Sequence, residues 1–110
     1  MKLNSKQKGK RGEREAVKLL ERLGLKNPRR GLSQAMGAIT ADIECDSLNA
    51  FWVEVKFTKV GSAMYQHLEQ AEEDSKNTPK VPLVLYRDKR KKWLVIGDAE
   101  YLLPILTNHT

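Results

Sequence analysis

The chain contains one cysteine in 110 residues. Cys45 therefore has no partner for an internal disulfide, and a multi-cysteine zinc site is excluded. No stretch approaches the length of a membrane-spanning helix. No basic-then-apolar signal segment opens the sequence. There is no internal repeat, no linker and no second domain. Together these absences favour a cytoplasmic protein without a membrane partner. With 40% hydrophobic residues, a chain of this size builds one modest core and a single small domain.

What is present in excess is positive charge. The formal net charge is +6, which suits an anionic partner such as nucleic acid. Its placement says more than its sum. Lys2, Lys6, Lys8, Lys10, Arg11, Arg14 and Lys18 crowd the first segment, Arg29 and Arg30 follow, and Arg87, Lys89, Arg90, Lys91 and Lys92 cluster late. The one acidic run, Glu69 to Asp74, reads as the solvated face of a helix.

Residues 1–8 are polar and basic without an apolar period, and read as a flexible arm. From about Lys10 to Leu23 the residues Ala16, Val17, Leu19, Leu20 and Leu23 repeat at helical spacing, and Gly24 ends the segment as a cap. Glu13 falls at the edge of that buried stripe, while Glu15 is expected to point away. A first-turn carboxylate also interacts well with the helix dipole, which is the plain explanation of Glu13. A short strand around Arg29–Arg30 is followed by a loop over residues 32–40. Ala41 to Cys45 and Phe51 to Phe57 read as strands joined by a tight turn, a β-hairpin. Ser62 is expected to cap a helix running to about Lys76. Val81 to Tyr86 and Trp93 to Ile96 read as strands around a basic turn, and Asp98 opens a last helix. The order is α-β-β-β-α-β-β-α, an α/β fold with a mixed central β-sheet flanked by helices.

The segment Phe51-Trp52-Val53-Glu54-Val55-Lys56-Phe57 carries the chemistry. Alternation puts Phe51, Val53, Val55 and Phe57 on one face and Trp52, Glu54 and Lys56 on the other. An acid and a base on an apolar strand carry a desolvation cost. Asp42 lies twelve residues before Glu54, and a hairpin brings it beside Glu54. Two such carboxylates suit a hard divalent cation, and a neighbouring lysine can orient or deprotonate water and offset charge on a phosphate. Glu13 supplies a third carboxylate from the helix. Glu54 and Lys56 equally fit a solvent-facing ion pair on an edge strand, worth about 0–1 kcal/mol. Residue spacing alone leaves both readings open. Cys45 and His67 read as packing residues, and His109 falls in the tail.

Three segments resemble the PD-(D/E)XK nuclease superfamily, and within it the archaeal-type Holliday junction resolvases and small phage nucleases. They are Lys8-Gly9-x-x-x-Glu13-Arg14-Glu15, Asp42-Ile43, and Glu54-Val55-Lys56-x-Thr58-Lys59. The resemblance implies a restriction-endonuclease-like core over residues 9–110. It implies that Asp42, Glu54 and the backbone carbonyl of Val55 bind Mg²⁺ (or Mn²⁺ in its place), that Lys56 is catalytic, and that Glu13 assists the metal or its water. Only through this resemblance does a glutamine of the second helix, Gln66 or Gln70, enter as a residue that could reach the site. Lys8, Lys10, Arg11, Arg14, Arg29, Arg30, Ser33 and Lys59 are the DNA-binding candidates, by the resemblance for Arg14, Arg30 and Ser33. Ala41 departs from the family pattern, which often has proline before the acid. The reading is a Mg²⁺-dependent DNA endonuclease acting on branched DNA as a homodimer, its pairing surface in the apolar stretches Val84 to Ile96 and Tyr101 to Ile105. The alternatives are another nuclease of the same fold (nicking, repair or phage packaging), a catalytically silent DNA-binding module, or an unrelated basic interaction protein.

Overall fold

The structure, a computed structural model, describes residues 5–31 and 40–108, with side chains from Gly9 onward. Ser33, most of the loop expected at 32–40, and His109 lie outside the described residues. Three helices and five strands follow the expected order: α1 (Ser5–Arg22), β1 (Arg29–Arg30), β2 (Ile43–Glu44), β3 (Phe51–Phe57), α2 (Met64–Ser75), β4 (Val81–Arg87), β5 (Leu94–Ile96) and α3 (Ala99–Thr107). They form one sheet in the order β1-β2-β3-β4-β5. Only β3 and β4 run parallel, with α2 as their crossover; the other neighbours are antiparallel. This is the mixed α/β sheet read from the sequence.

α1 begins at Ser5 rather than near Lys10. Lysine and glutamine are good helix formers, so the helix extends past the start of its apolar stripe and takes in half of the expected arm. Two glycines lie inside it, and they differ. A Cβ on Gly12 would stand 2.6 Å from Phe57 Cβ, whereas nothing lies within 4 Å of one on Gly9. Gly12 is therefore the point at which helix and central strand meet.

The two faces of β3 divide as alternation predicts. Val53 and Val55 join Ala16, Leu20, Ile43 and Leu85 in the core beneath α1, with Phe51 packed against it. On the opposite face Val84, Tyr86 and Ala71 form a second core beneath α2. Burial of side chains such as Ile43, Val53 and Val84, each under 2% exposed, stabilises the fold by about 1.5–3 kcal/mol apiece. Because Glu54 pairs with Val84 and Lys56 with Tyr86 in parallel register, the acid and the base share the α2 side. β3 is the middle strand of the sheet, which removes the edge-strand reading of this pair.

Three local expectations change. The β2–β3 connection is not a tight turn but a 3-10 helix, Asp46–Leu48. Ser62 does not cap α2; Ala63 holds that position without a side-chain bond. Glu15 does not point away: its Oε2 accepts from Arg87 Nη1 at 2.8 Å. Asp98 does cap α3, its Oδ1 accepting from Glu100 N at 2.8 Å.

Candidate active site

Ile43 pairs with Val53 in the antiparallel β2–β3 ladder. One further step along that register sets Asp42 against Glu54. The ladder is completed there by a side chain: Val55 N donates to Asp42 Oδ2 at 3.0 Å. A strand residue turns its N–H and C=O to the same neighbour, so the Val55 carbonyl also faces the Asp42 side. Behind Asp42 the backbone is drawn tight. Gly31 N donates to the Asp42 carbonyl at 2.9 Å, and a Cβ on Gly31 would lie 2.1 Å from the Ala41 carbonyl oxygen. Glycine at 31 lets the β1 end close on the residue that carries the acid.

Glu54 is pushed up to about 8, first by burial and next by the Asp42 carboxylate; Asp74 on α2 adds a weaker push in the same direction. Trp52 opposes them, its Nε1 donating to Glu54 Oε1 at 2.8 Å. Two facing acidic groups, one of which cannot readily ionise beside the other, are relieved by a proton or by a cation. The donors available are carboxylate and carbonyl oxygens, the set that hard divalent cations prefer. The pair therefore fits such an ion. Among the described residues no three His, Cys, Asp or Glu side chains gather in a group able to hold a metal, so Glu13 does not close a three-carboxylate cluster.

Glu13 stands beside the pair instead. Its carboxylate is raised by burial, lowered by its bond with Arg30 and raised again by Asp42. Arg30 Nε donates to Glu13 Oε1 at 2.9 Å. α1 and β1 thus bring an acid and an arginine together next to Asp42. Lys56 is half-buried, and no hydrogen bond or ion pair engages it among the described residues. It does not pair with Glu54. Its ammonium is felt by His67, whose pKa is lowered by burial and then by Lys56.

A sequence model of the family described as "Phage putative PDDEXK endonuclease" matches residues 4–109. The chain belongs to this family. It is a nuclease of PD-(D/E)XK type. Its fold is similar to that of a solved structure of Hjc, a Holliday junction resolvase from the archaeal hyperthermophile Archaeoglobus fulgidus. That match has a TM-score of 0.58 at 23% identity and covers 82% of this chain and 72% of the other. A search of curated proteins finds no significant match. No helix among the described residues is long and apolar enough to cross a membrane.

In this PD-(D/E)XK chain the basic residues fall into two groups. Lys10, Arg14 and Lys59 are exposed, with no hydrogen bond or ion pair among the described residues. Arg11 and Arg29 are engaged. Arg11 lies over the Phe57 ring at 5.6 Å and pairs with Glu15 at 3.4 Å. Arg29 Nη1 donates to the Asn27 carbonyl and to Asp46 Oδ1, at 2.9 and 3.1 Å, and Nη2 meets Glu44 at 3.4 Å. Arg29 therefore brackets β1 to the 3-10 turn. The backbone of Lys8 is helical within α1.

Three contributors went unread in the sequence. Asp74 influences Glu54 although the acidic run looked wholly solvated. Glu15 ties α1 to β4 across 72 positions, a contact without a local signal. His67 hydrogen-bonds the Tyr86 hydroxyl and lies near Lys56; only its place on the apolar helix face hinted at it. Gln70 bonds Asp74 at 2.9 Å and Gln66 is exposed.

Proposed function

We propose that this nuclease is a Mg²⁺-dependent DNA endonuclease that cuts branched DNA, with Asp42, Glu54 and Lys56 at its centre. The observation that carries the reading is the Asp42–Glu54 pair on the middle strand, with an unengaged lysine two residues on. Asp42, Glu54 and the Val55 carbonyl would hold the ion, and Mn²⁺ would serve in its place. When bound, Mg²⁺ neutralises phosphate charge and lowers the pKa of water.

The chain's own groups do the rest. Val55 N–H fixes one oxygen of Asp42, leaving the other for the ion. Trp52 Nε1 fixes one oxygen of Glu54 in the same way. Lys56, engaged by no acceptor among the described residues, orients water toward phosphorus and offsets the charge that grows on the phosphate oxygens. Glu13, steadied by Arg30, receives a hydrogen bond from water at the site. Lys10, Arg14, Arg30 and Lys59 hold the DNA backbone, the term that dominates affinity and does not read sequence. Ser33 and Lys8 are proposed as additional contacts.

We further propose a homodimer, since one chain supplies one site and a junction or duplex needs two cuts; two-fold pairing is the commonest symmetry. Val84 and Tyr86 are buried under α2, which takes them out of the pairing surface. Leu94 and Val95 of β5 with Tyr101 and Leu103 of α3 remain exposed and supply it. The work would take place in the cytoplasm, where the DNA is. The fold likeness to a junction resolvase favours branched DNA as substrate.

The test is cleavage of labelled four-way junction, flap and plain duplex DNA in Mg²⁺ or chelator, by the wild type and by Asp42→Ala and Glu54→Ala. Preferential metal-dependent cutting of the junction, lost in both variants while binding persists, is expected. Equal cutting of all three substrates would leave a nuclease without branch preference. Cutting by the variants would remove these carboxylates from the mechanism.

A further inference from the structure

Where β3 and β4 end side by side, their exits enclose a groove of about 240 Å³ lined by Phe57, Thr58, Lys59, Asp88 and Lys89. It begins one residue beyond Lys56. Strand geometry puts the Lys59 backbone at most about 10 Å from that of Lys56, about three nucleotides of duplex rise along one strand.

The groove's polarity is set by its rims. Lys59 and Lys89 are exposed and have no hydrogen-bond or ion-pair partner among the described residues. The acid within it, Asp88, is turned to the same turn: Lys91 Nζ lies 3.8 Å from Asp88 Oδ2, and Lys91 N bonds the Asp88 carbonyl at 3.0 Å. Two cations therefore flank a groove whose one carboxylate is partly compensated.

A second observation comes from the backbone. Lys89 adopts φ +50°, the left-handed region that favours glycine or asparagine over a long side chain. Lys89 thus carries a long side chain where the backbone favours glycine, and the residue lines the groove. The base of the turn is meanwhile held rigidly. Arg87 bonds Glu15 at 2.8 Å and the Lys91 carbonyl at 2.8 Å, and its guanidinium lies 5.7 Å from the Trp93 ring centroid.

We propose that this groove is a second phosphate subsite, in which Lys59 and Lys89 clamp the backbone of the DNA strand being cut, a few nucleotides from the phosphate at Lys56. The inference rests on the nuclease reading above and adds to it a place for Lys59 and one further residue, Lys89. The late basic turn is then part of the substrate track rather than solubilising charge.

The test measures DNA affinity as a function of salt, in chelator so that no cutting occurs, for wild type, Lys89→Gly, Lys59→Ala, the double variant and Lys80→Ala. Lys80 precedes β4 at the opposite end of the sheet, so its loss changes net charge without touching the groove. Each phosphate contact contributes about 0.9 to the slope of log affinity against log salt for duplex DNA. Lys89→Gly and Lys59→Ala are each expected to lower the slope by about that amount, and the double variant by about twice as much; Lys80→Ala should leave it unchanged. Lys89→Gly relieves the backbone, so its melting temperature should equal or exceed that of the wild type, separating lost contact from lost fold. A wild-type slope in Lys89→Gly, or the same drop in Lys80→Ala, overturns the subsite. If the wild type still cuts DNA in Mg²⁺ and Glu54→Ala does not, the nuclease centre survives that failure. A wild type that neither binds nor cuts DNA overturns both.

Discussion

At the scale of single residues, the centre is defined by what its groups are denied. Glu54 is half-buried beside another acid, and Lys56 has no acid of its own among the described residues. The Glu54 carboxyl, pushed up to about 8, binds a proton in the folded chain that the unfolded chain has already released above about 4.5. That proton's contribution to stability is complete below the ordinary carboxylate range and is lost as pH rises through about 8. Metal-free protein is therefore predicted to melt at falling temperature between pH 5 and pH 8. Glu54→Gln should flatten that trend, and added Mg²⁺ should raise the melting temperature more at pH 8 than at pH 5. A flat profile in the wild type would contradict the account of the pair. For Lys56 the expected signature is catalytic: Lys56→Met should lower the single-turnover cleavage rate by about 10²–10⁴-fold while DNA affinity changes little.

The elements show how much of this was readable. The alternation of β3, the Asp98 cap and the α1 stripe as far as Leu20 (Leu23, read as part of that stripe, falls beyond α1 and is 61% exposed) are local patterns, and they transfer directly into the structure. So does the Asp42–Glu54 approach, because an antiparallel pair fixes which residues face one another. What was not legible depends on partners distant in the chain. Glu15 looked solvated on its own helix and is held by Arg87. Arg29 looked like a phosphate ligand and is taken up by Asp46 and Glu44. Asp74 belonged to a run of acids and yet acts on Glu54 through the fold. The two glycines of α1 give the contrast a measurable form. Gly12→Ala forces a Cβ against Phe57, and should destabilise by about 1–3 kcal/mol as overpacking does. Gly9→Ala meets nothing and should stabilise by about 0.5–1 kcal/mol through helix propensity. Urea unfolding of the two variants checks both signs.

On the scale of the whole molecule, two surfaces remain. One is basic, with Lys10 and Arg14 of α1 and Lys59 and Lys89 at the exits of β3 and β4 all exposed. The other is apolar: β5 is the last strand of the sheet, and Val95 is 60% and Tyr101 59% exposed. A strand edge with no neighbouring strand among the described residues, flanked by exposed apolar side chains, invites pairing. Sedimentation should show a dimer for the wild type and a monomer for Val95→Lys, with cleavage of a single site in duplex retained by the monomer. A monomeric wild type would refute the pairing and leave the chemistry untouched.

The central claim is that Asp42 and Glu54 form the metal-dependent centre at which this chain cuts DNA. Its most direct test is single-turnover cleavage of an end-labelled duplex by wild type and Asp42→Asn, with and without Mg²⁺, alongside binding of the same duplex by anisotropy. The account predicts cutting by wild type in Mg²⁺ alone, loss of cutting by at least about 10²-fold in Asp42→Asn, and equal binding by both proteins. Undiminished cutting by Asp42→Asn, or cutting by wild type in chelator, would contradict it.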